Sequence, residues 1–246
     1  MNINLEGKIA LVTGASRGIG YFTALELAKA GAHVIACART VGGLEELDDA
    51  IKAIGGSATL VPFDLADMEA IDRLGGSIFE RWGKLDILVA NAGVLGVISP
   101  IGHIEAKVFE KVMNINVNAT WRLIRSVDPL LTRSDAGRAV IMSSGAAHKC
   151  RPFWSAYSAS KAAVEALART WAGETQSTPL RITSVDPGAT RTAIRAQAVP
   201  GEDPMTLPHP SEVAKAILPL LGPGVTETGK LFIVRENKLV DYRLPA

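Results

Sequence analysis

The sequence predicts an α/β fold in which a doubly wound parallel sheet carries helices on both faces, three layers in all. Three observations predict it. Short apolar runs alternate with longer amphipathic stretches almost from end to end. The apolar runs are nearly continuous, as strands covered on both faces require. The first run leads straight into a glycine-rich turn at the opening of a helix, which decides against the closed barrel that alternation alone would also suit.

In chain order, Lys8–Thr13 is the first apolar run, followed by an amphipathic stretch over Gly18–Ala30. Strand His33–Ala38 precedes helix Gly43–Ile54, and strand Ala58–Phe63 precedes helix Asp67–Trp82. Strand Leu85–Ala90 leads to a long helix over Ala106–Leu131, where Val108, Val112 and Ile115 recur at helical spacing. Strand Ala139–Ser143, helix Ala156–Glu174, strand Arg181–Val185, helix Ser211–Leu221 and strand Leu231–Val234 complete the series. Pro200–Pro210, the one proline-rich stretch, reads as a surface loop. No repeat or low-complexity linker divides the chain, so a single domain over 1–246 is expected.

Composition narrows the function classes. The 246 residues, 48% hydrophobic, suffice for one domain with a sizeable core. A net charge of +1 without basic runs argues against nucleic acid as a main partner. Cys37 and Cys150 build neither a disulfide framework nor a ligand-spaced metal cluster. The start shows no signal peptide, and no apolar run approaches the roughly 18 residues of a membrane span. The expectation is a cytoplasmic protein with no membrane partner.

The turn after the first strand reads Gly14-Ala15-Ser16-Arg17-Gly18-Ile19-Gly20. Glycines there let backbone N–H groups approach a pyrophosphate at the positive helix N-terminus. The spacing is G-x-x-x-G-x-G rather than the commoner G-x-G-x-x-G. The next strand discriminates between nucleotides. An NAD site usually places an acidic residue at its end, on the ribose 2′-hydroxyl. This strand ends at Ala38, and Arg39-Thr40 follow. A guanidinium binds a 2′-phosphate that a carboxylate would repel, and Arg17 adds a second positive charge. NADP(H) is therefore the expected cofactor, with NAD(H) weaker.

Tyr157-Ser158-Ala159-Ser160-Lys161 opens a later helix and sets a phenol and an ammonium on one face. A free phenol has a pKa near about 10, and a neighbouring lysine is expected to lower it toward useful acid/base chemistry. Ser143-Ser144 ends a strand shortly upstream, where open parallel sheets place their ligands.

Together, Thr13–Gly20, Asn91-Ala92-Gly93, Ser144, Tyr157–Lys161 and Pro187-Gly188 resemble the short-chain dehydrogenase/reductase family along nearly the whole chain. The resemblance implies a Rossmann-like sheet of about seven strands and hydride transfer between a nicotinamide and a carbonyl or alcohol. It implies Tyr157 as general acid/base, Lys161 as the residue that lowers its pKa and holds the nicotinamide ribose, and Ser144 as a hydrogen-bond donor to the substrate oxygen. Asn116, among Asn114-Ile115-Asn116-Val117-Asn118, matches an asparagine that holds a relay water, while Asn114 and Asn118 read as exposed helix residues.

The same resemblance places Asp64-Leu65 at the adenine, with a cap or turn role for Asp64 left open. It places Asn91, Ala92 and Gly93 near the adenosine ribose, with Ala90 where many members carry another asparagine. Pro187, Gly188, Thr190 and Thr192 match the segment at the nicotinamide carboxamide. Trp154 reads equally as pocket wall or as core and interface, and His148 as a surface residue. The region after Leu231–Val234 departs from the family with a rebuilt, polar turn. A homodimer or homotetramer is implied, the dimer through the two long helices. The opposing possibility is a catalytically silent nucleotide-binding regulatory or scaffold protein on the same fold. Retention of Tyr157, Lys161 and Ser144 argues against it.

Overall fold

A computed structural model describes residues 3–242. Strands β1 (Ile9–Thr13), β2 (His33–Ala38), β3 (Ser57–Pro62), β4 (Ile87–Ala90), β5 (Arg138–Met142), β6 (Arg181–Asp186), β7 (Lys230–Ile233) and β8 (Lys238–Val240) form one sheet. Their order is β3-β2-β1-β4-β5-β6-β7-β8, parallel throughout except for the antiparallel pair β7–β8. The helices are α1 (Gly18–Lys29), α2 (Val41–Ala53), α3 (Met68–Trp82), α4 (Ala106–Met113), α5 (Ala119–Leu131), α6 (Ala146–Lys149), α7 (Ser155–Glu174), α8 (Ala193–Ala198) and α9 (Pro210–Ile217).

Successive residues of a strand face opposite layers, and both layers here are apolar. Ala10 and Val12 of β1 join a core with Leu27 of α1, Leu47 of α2 and Val213 of α9. Ile9 and Leu11 join the other, with Ile78 of α3, Val127 of α5 and Trp171 of α7. Two apolar neighbourhoods explain why the strand sequences show no polar alternation. Truncating a fully buried member such as Leu47 to Ala costs roughly 2–5 kcal/mol.

The chain winds outward from β1 to β3, then returns to place β4 beside β1 on the other side. At this reversal the connections diverge and leave a crevice at the carboxyl ends of the strands, where such sheets bind ligands.

The structure corrects the predicted elements in four places. Among the described residues there are eight strands rather than about seven, because the polar segment after β7 turns back through Asn237 (φ +48°) into β8. The helix expected over Ala106–Leu131 is not uniform; Asn114–Asn118 form a π-helical turn between α4 and α5. The helix expected to begin at Ser211 begins at Pro210, after a His209 cap, and ends in a 3₁₀ turn over Leu218–Leu221. The short helices α6 and α8 were not anticipated. Among the described residues, no helix is long and apolar enough to cross a membrane, and no cluster of three or more His, Cys, Asp or Glu could hold a metal ion.

Candidate active site

A cleft of about 1460 Å³ runs across the carboxyl ends of the strands from Arg39 and Asp64 to Ser144 and Tyr157. Its first wall is the glycine turn. Gly14 adopts φ +67°, and a Cβ on Gly20 would stand only 2.3 Å from the Gly14 carbonyl oxygen. Gly14, Ser16, Arg17, Gly18 and Ile19 line the cleft. Gly20 lies buried beneath the turn and allows the backbone to close.

The neighbouring strand end braces this turn. The Thr13 hydroxyl accepts from the backbone N–H of Asn91 (3.1 Å) and Ala92 (3.2 Å), and Asn91 Nδ2 donates to the Thr13 carbonyl (3.0 Å). The Asn91 amide is thus engaged with β1, while Asn91, Ala92 and Gly93 remain on the cleft wall. At the end of β2, Arg39 and Thr40 are exposed, and Arg39 lies 3.5 Å from the Asp64 carboxylate. Two groups expected to contact a ligand separately face each other across the cleft. Asp64 also accepts from the Ala66 N–H, the turn role left open by the sequence, and Leu65 lines the cleft beside it.

The other end is buried. Helix α7 presents Tyr157, 8% exposed, and one turn later Lys161, 4% exposed. Lys161 Nζ donates to the Met142 carbonyl (2.8 Å) and stands 5.7 Å from the Tyr157 ring centre. Burial pushes the Tyr157 phenol up to about 12, opposed by the neighbouring Ser144 hydroxyl and reinforced by Asp186. Burial brings the Lys161 ammonium down to about 8, with Glu165 acting in the opposite direction. The chain's own groups therefore raise the phenol rather than lower it. Desolvation outweighs the lysine, because Lys161 is held by a backbone carbonyl instead of by the phenolic oxygen.

Asn116 sits at the centre of the π-helical turn. One added residue per turn widens the helix locally and leaves Asn116 buried. Its Oδ1 accepts from the Val94 N–H (2.8 Å), and its Nδ2 donates to the Val94 carbonyl and to Ser160 Oγ, both at 2.9 Å. A Cβ on Gly93 would meet Asn116 Oδ1 at 3.3 Å and Lys161 Nζ at 3.5 Å, so these side chains flank Gly93 closely. Asn116 lies behind the wall of the cleft, and Asn114 and Asn118 pair with each other on the exposed side, as anticipated.

After β6, Pro187, Gly188, Thr190 and Thr192 all line the cleft. Thr190 is buried, and Thr192 caps α8 by accepting from the Arg195 N–H. Trp154 lines the cleft, with its ring edge-on to Tyr157 at 6.1 Å. His148, expected as a surface residue, is half-exposed but bonded to buried Glu165. Thr13, Ser160 and Glu165 brace the site without standing out in the sequence, and Ser143 proves to face Glu165 rather than the cleft chemistry. Glu165 left a signal: a carboxylate repeating the Tyr157–Lys161 spacing on a helix face that is otherwise buried.

Residues 8–203 match the family model described as short chain dehydrogenase. The uncharacterized oxidoreductase YciK of Escherichia coli K12 is 38% identical over 221 residues, covering 89% of this chain and 87% of YciK. A short chain dehydrogenase of Shigella flexneri 2a, solved in complex with NADP, superposes with a TM-score of 0.91 at 37% identity, covering 96% of this chain and 100% of that one. One from Escherichia coli CFT073, in complex with NADPH, gives 0.90 at 36% identity, covering 96% and 99%. The cleft at the strand reversal and the matched length lead to one conclusion: the chain belongs to the short-chain dehydrogenase/reductase family of oxidoreductases.

Proposed function

We propose that this chain, as a single domain, is an NADP(H)-dependent oxidoreductase that moves hydride between the nicotinamide and a carbonyl or alcohol substrate. One observation carries the reading. A single cleft joins two exposed arginines, with no carboxylate ending β2, to the buried group of Tyr157, Lys161 and Ser144. The similar structures that hold NADP and NADPH support the choice of cofactor.

The residues fit such a group. The turn at Gly14–Gly20 leaves its backbone close to the cleft, because Gly20 carries no Cβ to hold it away. Backbone N–H groups at the N-terminus of α1 would meet the pyrophosphate. Arg17, Arg39 and Thr40 would hold the 2′-phosphate, Asp64 and Leu65 the adenine, and Asn91–Gly93 the adenosine ribose. Pro187, Gly188, Thr190 and Thr192 would hold the carboxamide, and Tyr157 and Lys161 the nicotinamide ribose. When bound, the nicotinamide supplies or accepts the hydride.

The chain supplies the proton. With its pKa raised to about 12, the Tyr157 phenol is protonated at neutral pH and ready to donate to the substrate oxygen as the carbonyl is reduced. The hydride on carbon and this proton on oxygen complete the alcohol. Ser144 donates a hydrogen bond to the same oxygen, and Lys161, still largely ammonium at neutral pH, stabilises the phenolate left behind. Asn116 fixes the Gly93–Val94 wall behind Lys161, where the relay water would lie.

NADPH oxidation against a panel of carbonyl compounds tests the reading and identifies the substrate class. Turnover that Tyr157→Phe abolishes is the expected result. If no compound gives turnover sensitive to that substitution, the oxidoreductase reading gives way to a binding module.

A further inference from the structure

We propose that Glu165 is a positioning residue for Ser144. Its buried carboxylate clamps the segment Ser143–His148 to α7, the helix that carries Tyr157 and Lys161. Glu165 lies one helical turn beyond Lys161, is 3% exposed, and has no part in the reaction derived above. Ser143 Oγ donates to Glu165 Oε1 at 2.5 Å. At the other end of the segment, His148 Nε2 lies 2.9 Å from Oε2 and 3.1 Å from Oε1. One carboxylate therefore grips both ends of a short segment with Ser144 inside it.

Between those ends the segment is held chiefly by its own turn: Ser144 Oγ accepts from the Ala146 N–H at 3.2 Å, and the Ala147 N–H donates to the Ser144 carbonyl at 3.0 Å. The Ser143 N–H reaches β6 through the Val185 carbonyl. Beside the contact of the Ser144 hydroxyl with the Tyr157 phenol, the Glu165 clamp supplies a second, buried link to α7 at both ends of the segment. It places the phenol, the ammonium and the anchor of the serine on one rigid helix, so their mutual geometry does not depend on the loop alone.

Stability does not explain a carboxylate here. Burial makes its charge costly and pushes its pKa above the ordinary carboxylate range, against the Ser143 and His148 bonds. The other groups facing it are Lys161 of α7, Asp186 of β6 and Tyr242 of the C-terminal segment, which in turn meets Arg169 of α7. Tyr242 closes the outer side, its ring 6.2 Å from that of His148 and 4.6 Å below the Arg169 guanidinium. An apolar residue of similar volume would fill the same space without the desolvation cost.

Glu165→Met is the direct test, with His148→Ala, at a half-exposed partner, as a second variant should the first not fold. Amide exchange of residues 143–149 in the protein without added cofactor is the first readout. It should quicken by about tenfold or more in Glu165→Met and less in His148→Ala, while β5 and the rest of α7 keep wild-type protection. The second readout, which rests on the oxidoreductase reading, uses NADPH and the best carbonyl of the panel. There kcat should fall by roughly 10–100-fold with KM for NADPH unchanged, because Ser144 is displaced while the cofactor cleft is intact. Glu165→Gln, which keeps an acceptor for Ser143 but none for a proton on His148, should recover part of the loss. Unchanged exchange in residues 143–149, or faster exchange spread evenly over the chain, would overturn the clamp. If wild type turns over no carbonyl, the functional reading fails while the exchange result still decides the clamp.

Discussion

The two ends of the cleft use charge in opposite ways. At the β2 end, Arg17, Arg39 and Asp64 stand in solvent, and the Arg39–Asp64 contact spans 3.5 Å between half-exposed groups. Water screens such charges, so each is worth little alone and acts by attracting a multiply charged partner. At the α7 end, Tyr157, Lys161 and Glu165 are all buried, and burial moves each of them away from its ordinary pKa. Exposed groups suit selection of a ligand by charge. Buried groups suit transfer of a proton, since their protonation responds to small changes nearby.

The largest expected effect is at the buried end. Lys161→Ala removes both the charge that stabilises the phenolate and the bond to the Met142 carbonyl, and kcat should fall by about 10²–10⁴-fold. A loss confined to KM would mean that the ammonium only binds. The exposed end should respond more modestly. Arg39→Ala should weaken NADPH binding by about tenfold and leave NADH binding unchanged, because only the 2′-phosphate distinguishes them. Equal dissociation constants for the two nucleotides, in wild type and variant alike, would remove the proposed selection.

The pH dependence separates the ends again. Below a phenol pKa of about 12 the phenolate fraction rises with pH, so alcohol oxidation should rise by up to about tenfold per unit from neutral pH. Lys161 loses its proton as pH rises through about 8, and the rise should flatten there. Carbonyl reduction, whose phenol stays neutral up to about 12, should be level near neutrality and decline above about 8 only as Lys161 loses the charge that stabilises the phenolate. Rate–pH profiles in both directions, taken between about pH 6 and 10, test these signs. The smallest effect is that of salt. Raising ionic strength should weaken NADPH binding a few-fold, because its charged contacts are exposed, and should leave the profile of the buried groups in place.

Legibility in the sequence follows the same division. The strands were readable because Ala10 and Val12 serve one apolar layer and Ile9 and Leu11 the other, so the runs are unbroken. The glycine turn and the Tyr157–Lys161 pair are local, and spacing alone brought them out. Strand β8 was not readable: it has three residues, and what creates it is the reversal at Asn237 against β7. The π-helical turn at Asn114–Asn118 escaped because Val108, Val112 and Ile115 keep a helical rhythm that hides one extra residue. The direction of the Tyr157 shift is not legible because sequence spacing shows the lysine but not the depth of burial, nor the Met142 carbonyl that accepts its hydrogen bond. Glu165 is not legible because its partners, Ser143 and His148, lie on a segment whose short helix has no periodicity to announce it.

The most direct test of this division is Tyr157→Phe, with NADPH affinity and NADPH turnover measured on the same preparation. Affinity within a few-fold of wild type with turnover abolished is the predicted result, because the phenolic oxygen supplies the proton and one ribose contact while the arginines and the glycine turn hold most of the nucleotide. Turnover at the wild-type rate, or affinity lost in step with turnover, would contradict it.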